Sequence, residues 1–104
     1  MIGYLSGPIT GNPDYKRQFA WAAKHLERLG WDIINPAALE RVVPVDAFTY
    51  EDYMEIDLLL LSKADTLIQL PGWEGSRGAN REYGYALAFN KQVTSLVALM
   101  KESR

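Results

Sequence analysis

The fold is decided by the stretch Asp57–Ala86, which reads DLLLLSKADTLIQLPGWEGSRGANREYGYA. A leucine-rich helix end leads into the apolar segment Thr66–Leu70, the glycine-rich loop Pro71–Gly78 follows, and a second helix begins. This order is typical of α/β proteins, in which such a loop brings backbone amides and one reactive side chain to the carboxyl edge of a parallel sheet. We therefore predict a buried strand over Thr66–Leu70 and a functional loop after it.

Glu82 is the unusual residue in the helix that we predict from about Arg77 to Asn90. It falls on the apolar stripe of that helix, whose members are Ala79, Tyr85, Ala86 and Phe89. Burying a carboxylate on the side facing the sheet costs several kcal/mol of folding free energy unless it is paired or lines a water-filled pocket. Glu82 is therefore either a structural acid paired with Arg77 or Arg81, or a functional group.

The composition excludes several classes of protein. With 104 residues, 48% hydrophobic and 23% charged, the chain is expected to form one domain over residues 1–104. The absence of cysteine excludes thiol chemistry, and a single histidine argues against a histidine-rich metal site, so no metal or cofactor is expected. A net charge of −2 argues against nucleic acid as the partner. Neither a transmembrane run nor a signal peptide is visible, so we expect a cytoplasmic protein.

Strands and helices alternate along the rest of the chain. Further strands are predicted at Ile2–Ser6, Trp31–Ile34 and Val93–Leu99, and further helices from Pro13 or Asp14 to Leu29 and from Tyr50 to Ser62 or Lys63. Pro36–Thr49 is either a flexible lid or a long crossover. The pattern predicts an α/β fold: a single-domain, Rossmann/flavodoxin-like three-layer sandwich with a four- to five-stranded parallel sheet, order near 2-1-3-4.

Three loops should meet at one edge of this sheet: Ser6–Asn12, the loop after Asn35, and Pro71–Gly78. The glycines of the first loop either serve a plain turn or let the backbone approach a ligand closely. Asp57 and Glu82 flank the same edge, although Asp57 could equally be an ordinary exposed acid. Paired carboxylates of this kind suggest glycosidic chemistry.

The residues also carry a resemblance to a known family. Its elements are YLSGPITG at Tyr4–Gly11, Asn35-Pro36, Asp57 with Asp65 eight residues later, and SRGANREYGYA at Ser76–Ala86. In this order and spacing the chain resembles the nucleoside 2-deoxyribosyltransferase superfamily along nearly its whole length. It is most similar to the short branch DUF4406, which is often encoded by phages or prophages, and it is also similar to the nucleoside 5′-monophosphate N-glycosidases.

The resemblance implies a role for each matching residue. By this resemblance, Glu82 corresponds to the nucleophile that attacks the sugar C1′. Asp57 corresponds to the group that protonates or orients the leaving base, and Tyr4 corresponds to the tyrosine that assists the nucleophile. Ser76, six residues before Glu82, takes the place of the serine that binds the 5′-phosphate in the monophosphate hydrolases. The other substrate-binding residues expected are Ser6, Gly7, Pro8, Ile9, Thr10, Gly11, Asn35, Arg77 and Gly78.

The implied function is hydrolase or transferase chemistry at the N-glycosidic bond of a 2′-deoxynucleoside or its 5′-monophosphate, without a cofactor. The alternative is a non-catalytic nucleotide-binding module, a sensor or sponge on the same fold; a small assembly protein is a third. The superfamily usually completes its site with a polar residue from a neighbouring subunit after the last strand, where this sequence offers little, so either a dimer uses other residues or the site is incomplete. A homo-oligomer, a dimer or larger, is expected because Trp21, Trp73, Tyr50 and Tyr53 exceed what so small a domain readily buries.

Overall fold

Four parallel strands form the centre of the computed structural model, which describes residues 1–102. They are β1 (Ile2–Ser6), β2 (Asp32–Ile34), β3 (Thr66–Gln69) and β4 (Gln92–Ser95). Their order in the sheet is β2-β1-β3-β4, and every neighbouring pair is parallel. The predicted sheet and its order are confirmed, and the chain changes direction across the sheet between β1 and β3, where α/β proteins bind ligands.

Helices cover both faces of the sheet. They are α1 (Tyr15–Arg28), α2 (Tyr50–Ser62), α3 (Arg77–Ala88) and α4 (Leu96–Glu102). Because side chains alternate along a strand, Leu5 of β1 faces the cluster formed with α1 and α4, whereas Tyr4 faces the cluster formed with α2 and α3. The three-layer Rossmann/flavodoxin-like sandwich is therefore confirmed. No helix within residues 1–102 is long and apolar enough to cross a membrane.

The last strand is shorter than predicted. The prediction of a strand over Val93–Leu99 is wrong beyond Ser95, where α4 begins. The Ser95 Oγ accepts a hydrogen bond from the Ala98 backbone N–H at 3.0 Å, in the manner of a helix cap. The residues after it are apolar at both strand and helix spacing, so their periodicity could not decide between the two. The serine cap and the packing of Leu96, with Leu99 beside it, against the α1 side of the core favour the helix.

The stretch between β2 and α2 is a crossover with short helical turns. It contains 3₁₀ helices at Pro36–Arg41 and Val45–Ala47. A capping box then starts α2: the Thr49 backbone N–H donates to Asp52 at 2.8 Å, and the Asp52 N–H donates to the Thr49 hydroxyl at 3.1 Å. These turns and caps fix a segment that its sequence left open, and the segment forms one wall of the cavity described next.

Candidate active site

A cavity of about 310 Å³ opens at the carboxyl ends of the strands, beside the place between β1 and β3 where the strand order reverses. Its size is in the range of small-molecule sites. The loop after β1, the segment after β2, the inner face of α2 and the first turns of α3 line it. Of the residues predicted from the sequence, the structure places seven on its wall: Gly7, Ile9, Thr10, Asp57, Ser76, Gly78 and Glu82.

Glu82 lies on the side of α3 that faces the sheet, with only 5% of its surface exposed. One carboxylate oxygen accepts a hydrogen bond from the Tyr4 hydroxyl, and the other accepts one from the Ser6 hydroxyl at 2.7 Å. Tyr4 and Ser6 are two residues apart on β1, so both side chains point to the same face. The central strand therefore supplies both hydroxyls that hold the carboxylate.

The structural alternative for Glu82, pairing with an arginine of α3, is wrong. Arg81 instead forms an ion pair with Glu51 at 2.9 Å on the surface. The Arg77 guanidinium lies over the Tyr50 ring, 5.1 Å from its centroid. The apolar stripe around Glu82 also ends earlier than predicted, because Ala79 and Ala86 are buried but Phe89 is 63% exposed beyond the end of α3.

Asp57 is buried on α2 and lines the same cavity, so the alternative of an ordinary exposed acid is wrong. Its Oδ1 has no hydrogen-bond partner among the described residues. Burial, assisted by the nearby charge of Glu82, raises the pKa of Asp57 to about 7. This carboxyl group therefore keeps its proton up to a much higher pH than an aspartate in water does.

The pKa of Glu82 is also raised to about 7, but the forces on it differ. Burial raises it, while the hydrogen bonds from Tyr4 and Ser6 lower it because they stabilise the charged carboxylate. Burial, together with the charges of Glu82 and Asp57, raises the pKa of Tyr4 well above its ordinary value of 10.0. Tyr4 therefore stays protonated and acts as a donor to Glu82.

The N-terminus of α3 reaches the cavity through Ser76 and Gly78. The Ser76 Oγ caps the helix by accepting a hydrogen bond from the Ala79 backbone N–H at 3.2 Å, which leaves the hydroxyl hydrogen available to another acceptor. The first backbone N–H groups of a helix have no partner within it and carry partial positive charge. This end of the cavity is therefore suited to an anion.

Five of the predicted substrate-binding residues do not line the cavity: Ser6, whose hydroxyl donates to Glu82 instead, and Pro8, Gly11, Asn35 and Arg77. Pro8 packs towards Gly72, where an added Cβ would lie 3.4 Å from the proline ring. Gly11 is exposed and provides a turn with φ of 77°. Asn35 caps the first turn of the following 3₁₀ helix, and Arg77 turns towards the α2 side as described above.

Several residues of the cavity were not expected from the sequence. Tyr15, at the start of α1, donates a hydrogen bond to Glu40, and the Lys16 Nζ lies 3.0 Å from the other Glu40 oxygen. The hydrogen bond from Tyr15 and the interaction with Lys16 lower the pKa of Glu40. Burial, together with the hydrogen bond to the Glu40 carboxylate, raises the pKa of Tyr15 to about 12. The only sequence signal for Tyr15 was its place three residues after the glycine loop. Glu40 lies in the segment without periodicity, where no signal marked it.

The chain matches a known protein family over the region that forms the sheet and the cavity. The family model described as "Domain of unknown function (DUF4406)" matches residues 1–95, which include all four strands and every residue placed at the cavity. No curated protein matches the chain. The matched share of the sequence, the whole sheet and its site included, shows that the chain belongs to the DUF4406 family.

Proposed function

We propose that this protein cleaves or transfers the N-glycosidic bond of a 2′-deoxynucleoside or its 5′-monophosphate, with Glu82 as the nucleophile. The observation that carries the proposal is a buried carboxylate, held by two hydroxyls from the central strand, beside a second buried carboxyl group in one cavity. The resemblance of the motifs to the nucleoside 2-deoxyribosyltransferase superfamily supports the same roles. Paired carboxyl groups are the usual means of breaking a glycosidic bond.

The chemistry proceeds in two displacements at C1′. A Glu82 oxygen forms a bond to C1′ while the bond from C1′ to the base nitrogen breaks, and the electron pair leaves with the base. Asp57 gives its proton to a ring nitrogen of that base, so that the base leaves in its neutral form. Water then attacks C1′ in a hydrolase, or a nitrogen of a second base does so in a transferase. The bond from C1′ to the Glu82 oxygen breaks, Glu82 leaves as the free carboxylate, and Asp57 takes up the proton that the attacking water or base loses.

The environments of the two acids support this division of roles. Glu82 accepts two hydrogen bonds, which favour its charged form, whereas Oδ1 of Asp57 accepts none from the described residues. The charge of Glu82 also raises the pKa of Asp57. The first proton to leave the pair therefore comes from Glu82, and Asp57 keeps its own, as a nucleophile and an acid require.

The N-terminus of α3 supports a phosphorylated substrate. Ser76 and Gly78 present a hydroxyl and a helix N-terminus to the cavity, on the same helix as the nucleophile. A 5′-phosphate placed there would accept hydrogen bonds from the Ser76 hydroxyl and the free amides of the first turn. This arrangement favours a 5′-monophosphate over a free nucleoside.

A non-catalytic nucleotide-binding module is the second candidate. It is favoured by one observation: both oxygens of Glu82 are already engaged by hydroxyls, as in a structural acid. Such a sensor or sponge would use Ser76 and the loop after β1 in the same way but would not require a charged Glu82.

The experiment that separates these candidates is a panel of nucleosides and nucleotides, monitored for free base with the wild type and Glu82→Gln. The enzyme should release base from at least one 2′-deoxynucleotide, and Glu82→Gln should lose that activity by orders of magnitude while still binding the ligand. Glu55→Gln removes an exposed carboxylate of α2 outside the cavity and should behave as the wild type. Binding without base release by the wild type would favour the module, and full activity of Glu82→Gln would exclude this nucleophile.

We further propose that the chain acts in the cytoplasm as a homo-oligomer. Of the aromatic residues behind this expectation, Tyr50 and Tyr53 line the cavity, and Trp73 packs edge-on to Tyr83 with ring centroids 5.2 Å apart. Trp21 remains 53% exposed on α1, so it is the aromatic residue that supports a subunit contact. A neighbouring subunit would also supply the polar residue that the superfamily resemblance implies.

A further inference from the structure

The cavity has a second polar end that the proposed chemistry does not use. Glu40 lines it with a side chain that is 21% exposed, so its carboxylate can be reached by a ligand. Tyr15 donates to one oxygen of this carboxylate, and Lys16 lies 3.0 Å from the other. The Tyr53 hydroxyl, on the α2 wall of the same cavity, is buried and has no hydrogen-bond partner in the described part of the chain.

The strand order separates this end from the one assigned to the sugar and phosphate. Glu40 belongs to the segment after β2, whereas Ser76 and Glu82 belong to the helix after β3, and β1 lies between those two strands. If C1′ lies at Glu82 and the 5′-phosphate at Ser76, the base has the β2 side of the cavity left to occupy. That side is the one occupied by Glu40 and Tyr15.

We infer that Glu40, oriented by Tyr15 and joined by Tyr53, forms a base-recognition subsite for a nucleotide whose base presents two adjacent N–H donors, as guanine does. The inference rests on the proposed function, because it needs the sugar at Glu82. Each carboxylate oxygen offers two acceptor positions. Tyr15 takes one on the first oxygen and Lys16 one on the second, so each oxygen keeps one position for the base.

The remaining positions suit guanine better than the other bases. Guanine places its N1–H and its 2-amino group side by side, which matches the two oxygens of a carboxylate. Hypoxanthine lacks the 2-amino group, adenine and cytosine place a ring acceptor beside their amino group, and thymine flanks its N–H with two carbonyl oxygens. The Tyr53 hydroxyl provides a donor for the carbonyl oxygen that adjoins N1 of guanine.

The test is a comparison of 2′-deoxyguanosine 5′-monophosphate with 2′-deoxyinosine 5′-monophosphate, which differ only by the 2-amino group. Calorimetric titration of Glu82→Gln, which leaves the ligands intact, should give about 10- to 100-fold tighter binding of the guanine nucleotide. Adding Glu40→Gln should bring the ratio close to one, because the amide N–H₂ opposes the second donor. Adding Glu55→Gln instead, an exposed residue outside the cavity, should leave the ratio unchanged.

A second measurement needs no substitution: the guanine nucleotide should raise the melting temperature of the wild type more than the inosine nucleotide does. Equal binding of the two nucleotides would overturn the subsite while leaving the proposed function in place. An equal loss of both nucleotides in the Glu40→Gln variant would also overturn it, because Glu40 would then only hold the segment after β2 against α1. Failure to bind any nucleotide would overturn the subsite and the proposed function together.

Discussion

Replacing Glu82 with glutamine should stabilise the protein above pH 7, even though it removes the proposed nucleophile. Burial raises the pKa of Glu82 from its ordinary 4.5 to about 7, so the folded protein holds the proton more tightly than the unfolded chain does. Below pH 4.5 both states are protonated and the acid costs nothing. Above pH 7 both are ionised, and the folded state carries a penalty of about 3 kcal/mol that an uncharged glutamine does not.

The assay is urea unfolding of wild type and Glu82→Gln at several pH values between 5 and 8. The free energy of unfolding of the variant should exceed that of the wild type by about 1 kcal/mol at pH 5 and by about 3 kcal/mol at pH 8. The new amide can add an offset to both differences, but that offset does not change with pH. The loss of the Glu82 charge also lowers the pKa of Asp57, which acts in the same direction. The exposed Glu55→Gln should show a nearly constant difference. A constant difference for Glu82→Gln, or one that shrinks as pH rises, would refute the reasoning.

Three further predictions concern the site and the assembly. Tyr4→Phe removes a hydrogen bond that lowers the pKa of Glu82, so the acid limb of the kcat/KM profile for base release should move to higher pH; an unmoved limb would exclude this role of the tyrosine. Ser76→Ala should weaken binding of a 5′-monophosphate by about 1–3 kcal/mol and barely change binding of the free nucleoside in parallel titrations, whereas an equal loss for both ligands would indicate only damage to the α3 cap. Sedimentation at micromolar concentration should show a dimer or larger oligomer, and a monomer alone would contradict the proposed assembly.

The parts of the site that periodicity alone predicted are those tied to regular elements, whereas Gly7, Ile9, Thr10 and Ser76 were expected from the family resemblance. Glu82 was recognisable because a carboxylate at helical spacing among alanines must be either paired or functional, and the structure buries it between Tyr4 and Ser6. The parallel sheet followed from the alternation of strands and helices, since parallel neighbours require crossover connections. These features depend on periodicity, which a sequence displays directly.

The parts that escaped prediction depend on contacts across the fold or on a single polar atom. Glu40 lies in a segment of 3₁₀ turns without periodicity, and its place in the cavity is defined by Tyr15, 25 residues away. The start of α4 depends on the Ser95 hydroxyl, because the residues after it suit a strand and a helix equally well. Phe89 was assigned to the buried stripe although α3 ends just before it.

The hydroxyls of Tyr4 and Ser6 meet Glu82 across 78 and 76 residues of chain, which has a consequence for how the domain folds. Contacts between such distant residues form slowly, because a long loop must close before they yield any stabilisation. β1 lies between β2 and β3, so the site is enclosed only after both strands have joined it and α3 has docked. Glu82 must lose its water at that late stage, and a charged carboxylate resists the loss more than a protonated one. Docking of α3 should therefore slow as the pH rises from about 4.5 to about 7, and the last barrier to folding lies at the residue assigned to catalysis.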